Sequence, residues 1–129
     1  MKFGYTILYV PDVAAAVEFY ERAFGLQRRF VHESGQYAAL ETGETALAFA
    51  AEAMAELNHV EVRPNRKAEV APGIELALTD EDTEAAFARA VAAGAEPVHA
   101  VVVKPWGQRV GYVRDLNGVL VELCSPIGG

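Results

Sequence analysis

Cysteine is almost missing from this chain: Cys124 is the only one in 129 residues. No intramolecular disulfide can form, so burial alone must hold the fold, and paired-cysteine metal motifs are excluded. Basic residues are scarce as well, with 11 Lys and Arg against 18 Asp and Glu and a formal charge of −7. A nucleic-acid-binding face needs clustered cations to neutralise phosphates. The one basic stretch, Arg63 to Lys67, is short and interrupted by Pro64 and Asn65. Long hydrophobic runs are absent too, since no segment approaches the roughly 18 apolar residues of a membrane-crossing helix. Residues 1–20 lack the basic start, apolar run and cleavage site of a secretory leader. Neither nucleic acid nor membrane is an expected partner, and a cytoplasmic protein is the expectation. There is no glycine-rich phosphate loop and no nucleophile motif with supporting context.

What the chain does have is apolar material, 52% of its residues, enough for a core without staples. Residues 2–9 (KFGYTILY) predict a strand, and Pro11-Asp12 stops it, with Asp12 placed to cap a helix. Val13, Val17, Tyr20 and Phe24 recur at helical spacing, and Gly25 ends that helix. Three short β segments follow at about 27–32, 36–40 and 45–50, separated by the glycine-containing turns 33–35 and 41–44. Residues 51–72 read as a connector with a helical turn (AEAMAEL) and an extended piece near His59–Val62. The pattern then restarts. Gly73–Thr79 is a strand, Asp80 or Asp82 caps a helix from Thr83 to Ala93, and Gly94 closes it. Strands follow at 97–104, 108–114 and 119–124, the last two joined by Asp115-Leu116-Asn117-Gly118, a strong hairpin signal.

Gly25 and Gly94, like the strand residues Tyr5 and Glu75, are about 70 positions apart, so the element order β-α-β-β-β occurs twice. One such unit cannot bury its sheet alone, which makes a paired arrangement the natural solution. The expected fold is α+β, a single domain of two βαβββ modules (about 1–50 and 73–126) forming a cupped mixed sheet.

The segments VPDVAAAVEFYERAFGL, AGAEPV and KPWGQRVGYVRDLNGVLVEL carry a resemblance over nearly the full length. The chain resembles the vicinal oxygen chelate superfamily, which groups glyoxalases, bleomycin-resistance proteins and extradiol dioxygenases. Leu116 stands where that family usually has Pro, and Val119 where it usually has Asn; neither changes the turn. In metal-using members, four positions, on the first and last strands of each module, hold a divalent ion that polarises the substrate. The resemblance puts those positions on Tyr5, Ala48, Glu75 and Glu122. A neutral phenol is a poor ligand and Ala48 has no donor, so no metal or other cofactor is expected, a divalent metal being the alternative. His32, His59 and His99 read as surface or locally satisfied histidines.

The candidate ligand-binding residues are Tyr5, Phe49, Glu75, Trp106, Arg109 and Glu122. Glu75 and Glu122 lie in apolar strands, where a carboxylate is costly to bury without a partner. They either face a cavity and share a proton, or one of them lies outward. Trp106, at a bend, either caps the cavity over a planar or cationic ligand or packs against a neighbour. Gln108 and Arg109 alternate to opposite faces, so only one points inward. Tyr5 and Phe49 either line the apolar part of the pocket or belong to the core. Cys124 lies in an apolar strand with no basic neighbour, which argues against a nucleophile.

Three functions fit these residues. The first, by resemblance to bleomycin-resistance proteins, is metal-independent binding that sequesters a drug-like or metabolite ligand, cationic or aromatic, as in antibiotic resistance. The second is a metal-dependent lyase or transferase of the glyoxalase or fosfomycin-resistance kind, or a dioxygenase-related enzyme. The third is a metal-free acid–base isomerase or dehydratase using Glu75 and Glu122 as the catalytic pair. Because sheets of this kind leave an edge or open cup for a second copy to cover, a homodimer is expected. Light scattering at micromolar concentration should find twice the 13.9 kDa chain mass; a particle of one chain mass would contradict the expectation.

Overall fold

The computed structural model describes residues 1–127. Its elements run β1 (Tyr5–Val10), α1 (Val13–Phe24), β2 (Gln27–Val31), β3 (Tyr37–Glu41), β4 (Ala46–Ala51), the short α2 (Ala53–Leu57), β5 (Glu75–Thr79), α3 (Thr83–Ala92), β6 (Glu96–Val103), β7 (Arg109–Arg114) and β8 (Leu120–Cys124). The fold is α+β, two β-α-β-β-β modules. Hydrogen bonding forms two four-stranded mixed sheets, ordered β1-β4-β3-β2 and β5-β8-β7-β6. In each, the first strand pairs parallel with the last, and the remaining pairs are antiparallel. The chain divides into two compact units, Met1–Pro64 and Asn65 onward, so the expected connector is shared between them. No helix among the described residues is long and apolar enough to cross a membrane.

Local chemistry starts and stops the helices. The Asp12 carboxylate accepts from Ala15 N at 3.0 Å, and Asp82, not Asp80, caps α3 by accepting from Ala85 N at 3.1 Å. Gly25, with φ 67°, donates its N–H to Glu21 O at 3.1 Å and ends α1. The extended piece expected near His59–Val62 is not a strand. His59 instead takes the left-handed position after α2 (φ 58°) and donates its N–H to Glu56 O.

Each helix covers one face of its own sheet. In the first unit α1 lies against β2, β3 and β4. Tyr20 meets Phe49 edge-on at 5.0 Å between ring centroids, and Phe19 and Phe24 extend the aromatic cluster. In the second unit α3 lies against β6, β7 and β8. A Cβ at Gly111 would stand 2.8 Å from Val101 Cγ2 and 3.1 Å from Phe87, so glycine is what allows this approach.

Because Phe49 is fully buried in the α1 cluster, Phe49→Ala should destabilise the protein by about 3–5 kcal/mol. Urea unfolding checks this; a loss below about 1 kcal/mol would mean the site collapses around the cavity.

Candidate functional site

Strand alternation gives each sheet a helix-covered face and an open one, and the pairing registers assign residues to them. In the second unit, Glu75, Leu120 and Arg114 form one cross-strand row of the open face. Ala77, Glu122 and Tyr112 form the next, and Thr79, Cys124 and Val110 the third. His99 continues the middle row beyond Tyr112.

Three polar groups connect across this face. The Tyr112 hydroxyl donates to Glu122 Oε1 at 3.0 Å, and Glu75, one row along on β5, lies near enough to Glu122 for the two carboxyl groups to interact. Two neighbouring carboxyl groups resist carrying charge together. Desolvation, followed by the neighbouring Glu122 carboxyl, holds the Glu75 carboxyl above its ordinary value of 4.5. The Tyr112 phenol is pushed up to about 12, chiefly by desolvation and then by Glu122. The Cys124 thiol rises to about 11 for the same reasons in the same order. At neutral pH Tyr112 is therefore a donor, and Cys124 is a neutral thiol with no nucleophilic role.

The first unit carries the same grid with different chemistry. Ile7 pairs with Ala48 and Ala48 with Ala39, which correspond to Ala77, Glu122 and Tyr112 of the second unit. Tyr5 stands where the second unit has Glu75. Ala39, Ala46, Ala48 and Ala50 are buried on this face, while Tyr5, Ile7 and Phe30 are exposed. Phe30 and Tyr37 pair at 5.9 Å. This face is apolar and aromatic, with an alanine floor.

The structure thus brings Glu75 and Glu122 together and puts Tyr5 on an open face. Two of the other expected site residues lie elsewhere. Phe49 alternates with Ala48 and Ala50 onto the helix side, where Tyr20 covers it, so it does not line an open face. Arg109 also lies on the helix side and ion-pairs with Glu84 of α3, away from the acids. Trp106 sits at the β6–β7 turn, 65% exposed. Its Nε1 donates to Gln108 Oε1 at 2.8 Å, and Gln108 Nε2 in turn donates to Ser125 O at 2.9 Å. His32 and His99 satisfy Nδ1 locally, with Ser34 Oγ and Ala100 O, each at 2.8 Å.

Tyr112 was missed by sequence reading. Counting outward from the Asp115–Gly118 turn would have set it opposite Glu122, as observed.

A divalent ion held as in the metal-using relatives does not fit these donors. Ala48 offers none, Tyr5 offers a neutral phenol, and among the described residues no three His, Cys, Asp or Glu side chains come together.

A family model described as the Glyoxalase/Bleomycin resistance protein/Dioxygenase superfamily matches residues 2–123, and the chain belongs to that superfamily. Solved structures share the fold. A glyoxalase-related enzyme from Fulvimarina pelagi is 22% identical with a TM-score of 0.82, covering 98% of this chain and 88% of its own. TioX from Micromonospora sp. ML1 is 25% identical with a TM-score of 0.72, covering 97% and 98%. A glyoxalase/bleomycin resistance protein/dioxygenase family enzyme from Burkholderia phytofirmans PsJN is 18% identical with a TM-score of 0.79, covering 97% and 98%. No curated protein matches the chain.

The raised Glu75 carboxyl makes stability depend on pH. The folded chain holds this proton to higher pH than the unfolded chain does, so the contribution is full below the ordinary 4.5 and is lost as pH rises through the folded value. Glu75→Gln should remove that part of the decline, giving a variant at least as stable as the parent at neutral pH. Denaturant melts across the acid-to-neutral range check this; parallel stability profiles for the two proteins would contradict it.

Proposed function

We propose that the chain is a metal-independent small-molecule-binding protein, which holds a cationic organic ligand against the open face of its second sheet. The observation that carries this reading is the Glu75–Glu122–Tyr112 set, two carboxyl groups in adjacent rows of one face with a phenol donating to one of them. The neighbouring acid and desolvation oppose ionisation of Glu75, and a bound cation would offset both. Among the described residues no basic group acts on Glu75. Leu120 and Ala77 on the same face supply apolar contact for the body of an organic cation. Binding without turnover, as in the sequestering branch of the superfamily and in the cytoplasm, asks nothing further of these residues.

A second reading has one specific observation in its favour. A Glu75 carboxyl held above its ordinary value beside Glu122 is what an acid–base pair with split proton affinities requires of one partner. It supports a metal-free isomerase or dehydratase, which would reveal itself by turnover.

Calorimetry with benzyltrimethylammonium and its neutral isostere neopentylbenzene tests the first reading, on protein whose metal content is measured. The cation should bind better than the isostere, release a proton, and bind more tightly as pH rises through the Glu75 range. Glu122→Gln should weaken that binding by about 1.5–3 kcal/mol, as for a lost charged partner. Equal affinity for the two probes would overturn the reading, as would about one Zn, Ni, Mn or Fe per chain surviving mild chelation.

A further inference from the structure

The acid pair has a cation close by that does not touch it. Arg114 lies on the open face in the same row as Glu75, with Leu120 between them. It is also the diagonal neighbour of Glu122, a separation of about 7–8 Å that long side chains bridge. Its guanidinium turns instead to the end of the sheet and donates to three backbone carbonyls. Nε reaches Gly118 O at 2.8 Å, Nη1 reaches Lys67 O at 3.4 Å, and Nη2 reaches Glu69 O at 2.6 Å. Two of these acceptors belong to the segment leading into β5, the third to the β7–β8 turn.

Gly118 makes the arrangement possible. A Cβ there would stand 2.5 Å from Arg114 Nη2, 2.8 Å from Arg66 O and 3.0 Å from Lys67 Cα, and its φ is +87°. The turn is independently stiff, because the buried Asp115 carboxylate accepts from Asn117 N at 2.8 Å and Val119 N at 2.9 Å. Arg114 is therefore held by fixed backbone, through a planar fork that lysine cannot reproduce.

We propose that this is a charge latch: the 66–69 segment and the Gly118 turn hold the Arg114 guanidinium off the acid pair, and releasing it places an internal counter-ion on Glu75 and Glu122 that closes the face to external cations. Arg114 is a positioning residue that acts on the site by staying out of it. Among the described residues, the other titratable groups on or beside this face are engaged or neutral. Tyr112 and Cys124 are neutral neighbours on β7 and β8. His99 on β6 is bonded to Ala100 O, Lys67 and Glu69 meet Arg114 through their backbone, and Arg109 is paired with Glu84 behind the sheet. Closure to cations rests on the binding function proposed above, whereas the latch itself can be tested with no ligand present.

Carboxyl NMR titration of Glu75 is the test, in the parent protein and three variants. Gly118→Asn tolerates positive φ better than other substitutions but brings in the obstructing Cβ, so it should free Arg114 and move the Glu75 midpoint down. Arg114→Lys keeps the charge but loses the three-carbonyl grip, and should shift the midpoint in the same direction. Arg114→Gln removes the charge and should leave the midpoint near the parent value, because the latched guanidinium does not act on the pair. If Gly118→Asn does not fold, the contrast between Lys and Gln at position 114 still decides the matter. An upward shift in Arg114→Gln, or no difference between Arg114→Lys and Arg114→Gln, would overturn the latch. In a separate arm, benzyltrimethylammonium affinity should fall about tenfold or more in Arg114→Lys but not in Arg114→Gln. If the NMR contrast appears while neither the parent nor any variant binds the cation, the latch stands and the binding function fails.

Discussion

A single helix can cover only one face of a sheet, and everything chemical about this protein follows from that constraint. In the first unit α1 takes Phe49 and its aromatic neighbours; in the second α3 takes the face around Gly111 and Val113. Alternation sends every second residue of the same strands to the opposite side. The run ALAFAA of β4 shows the consequence: Leu47 and Phe49 go to the helix, while Ala46, Ala48 and Ala50 form the floor of the open face. Packing thus settles one set of positions and leaves the alternate set available for other chemistry.

The two modules have used that freedom differently. Their helix sides are both largely apolar, as stability requires, with Arg109 of the second paired to Glu84. At corresponding positions of the open sides, the first module has Tyr5, Ala48 and Ala39, and the second has Glu75, Glu122 and Tyr112. A fold that serves many chemistries in its superfamily here presents an aromatic face and an acidic one. Of the four positions that the resemblance assigns to a divalent ion, Ala48 has no donor and Tyr5 only a phenol, while Glu75 and Glu122 are carboxylates.

Negative charge survives on the second face because both arginines of β7 are engaged elsewhere. Arg109 points through the helix side to Glu84, and Arg114 reaches along the sheet to backbone carbonyls. The two carboxyl groups are left beside each other, with the Tyr112 hydroxyl bonded to Glu122, and desolvation and the neighbouring acid hold the Glu75 carboxyl up.

Much of the fold was legible in the residues alone, because helix caps, left-handed glycines, turn pairs and hydrophobic periods are written within a few positions of where they act. Asp12, Gly25 and the Asp115–Gly118 turn each announce an element boundary this way, and the doubled order of elements follows from them. Placing Glu75 and Glu122 in comparable strands needed only the repeat. The face a residue occupies is another matter, since a slip of one position inverts every side chain in a strand; Phe49 could be assigned only once the pairing of β1 with β4 was seen. The partners of long side chains lie further still from the local code. Glu84 is 25 residues from Arg109, and the Lys67 and Glu69 carbonyls are 47 and 45 residues from Arg114. Sequence determined the elements and their order, because those depend on neighbours along the chain. Tertiary structure decided which charges meet, because that depends on neighbours in space.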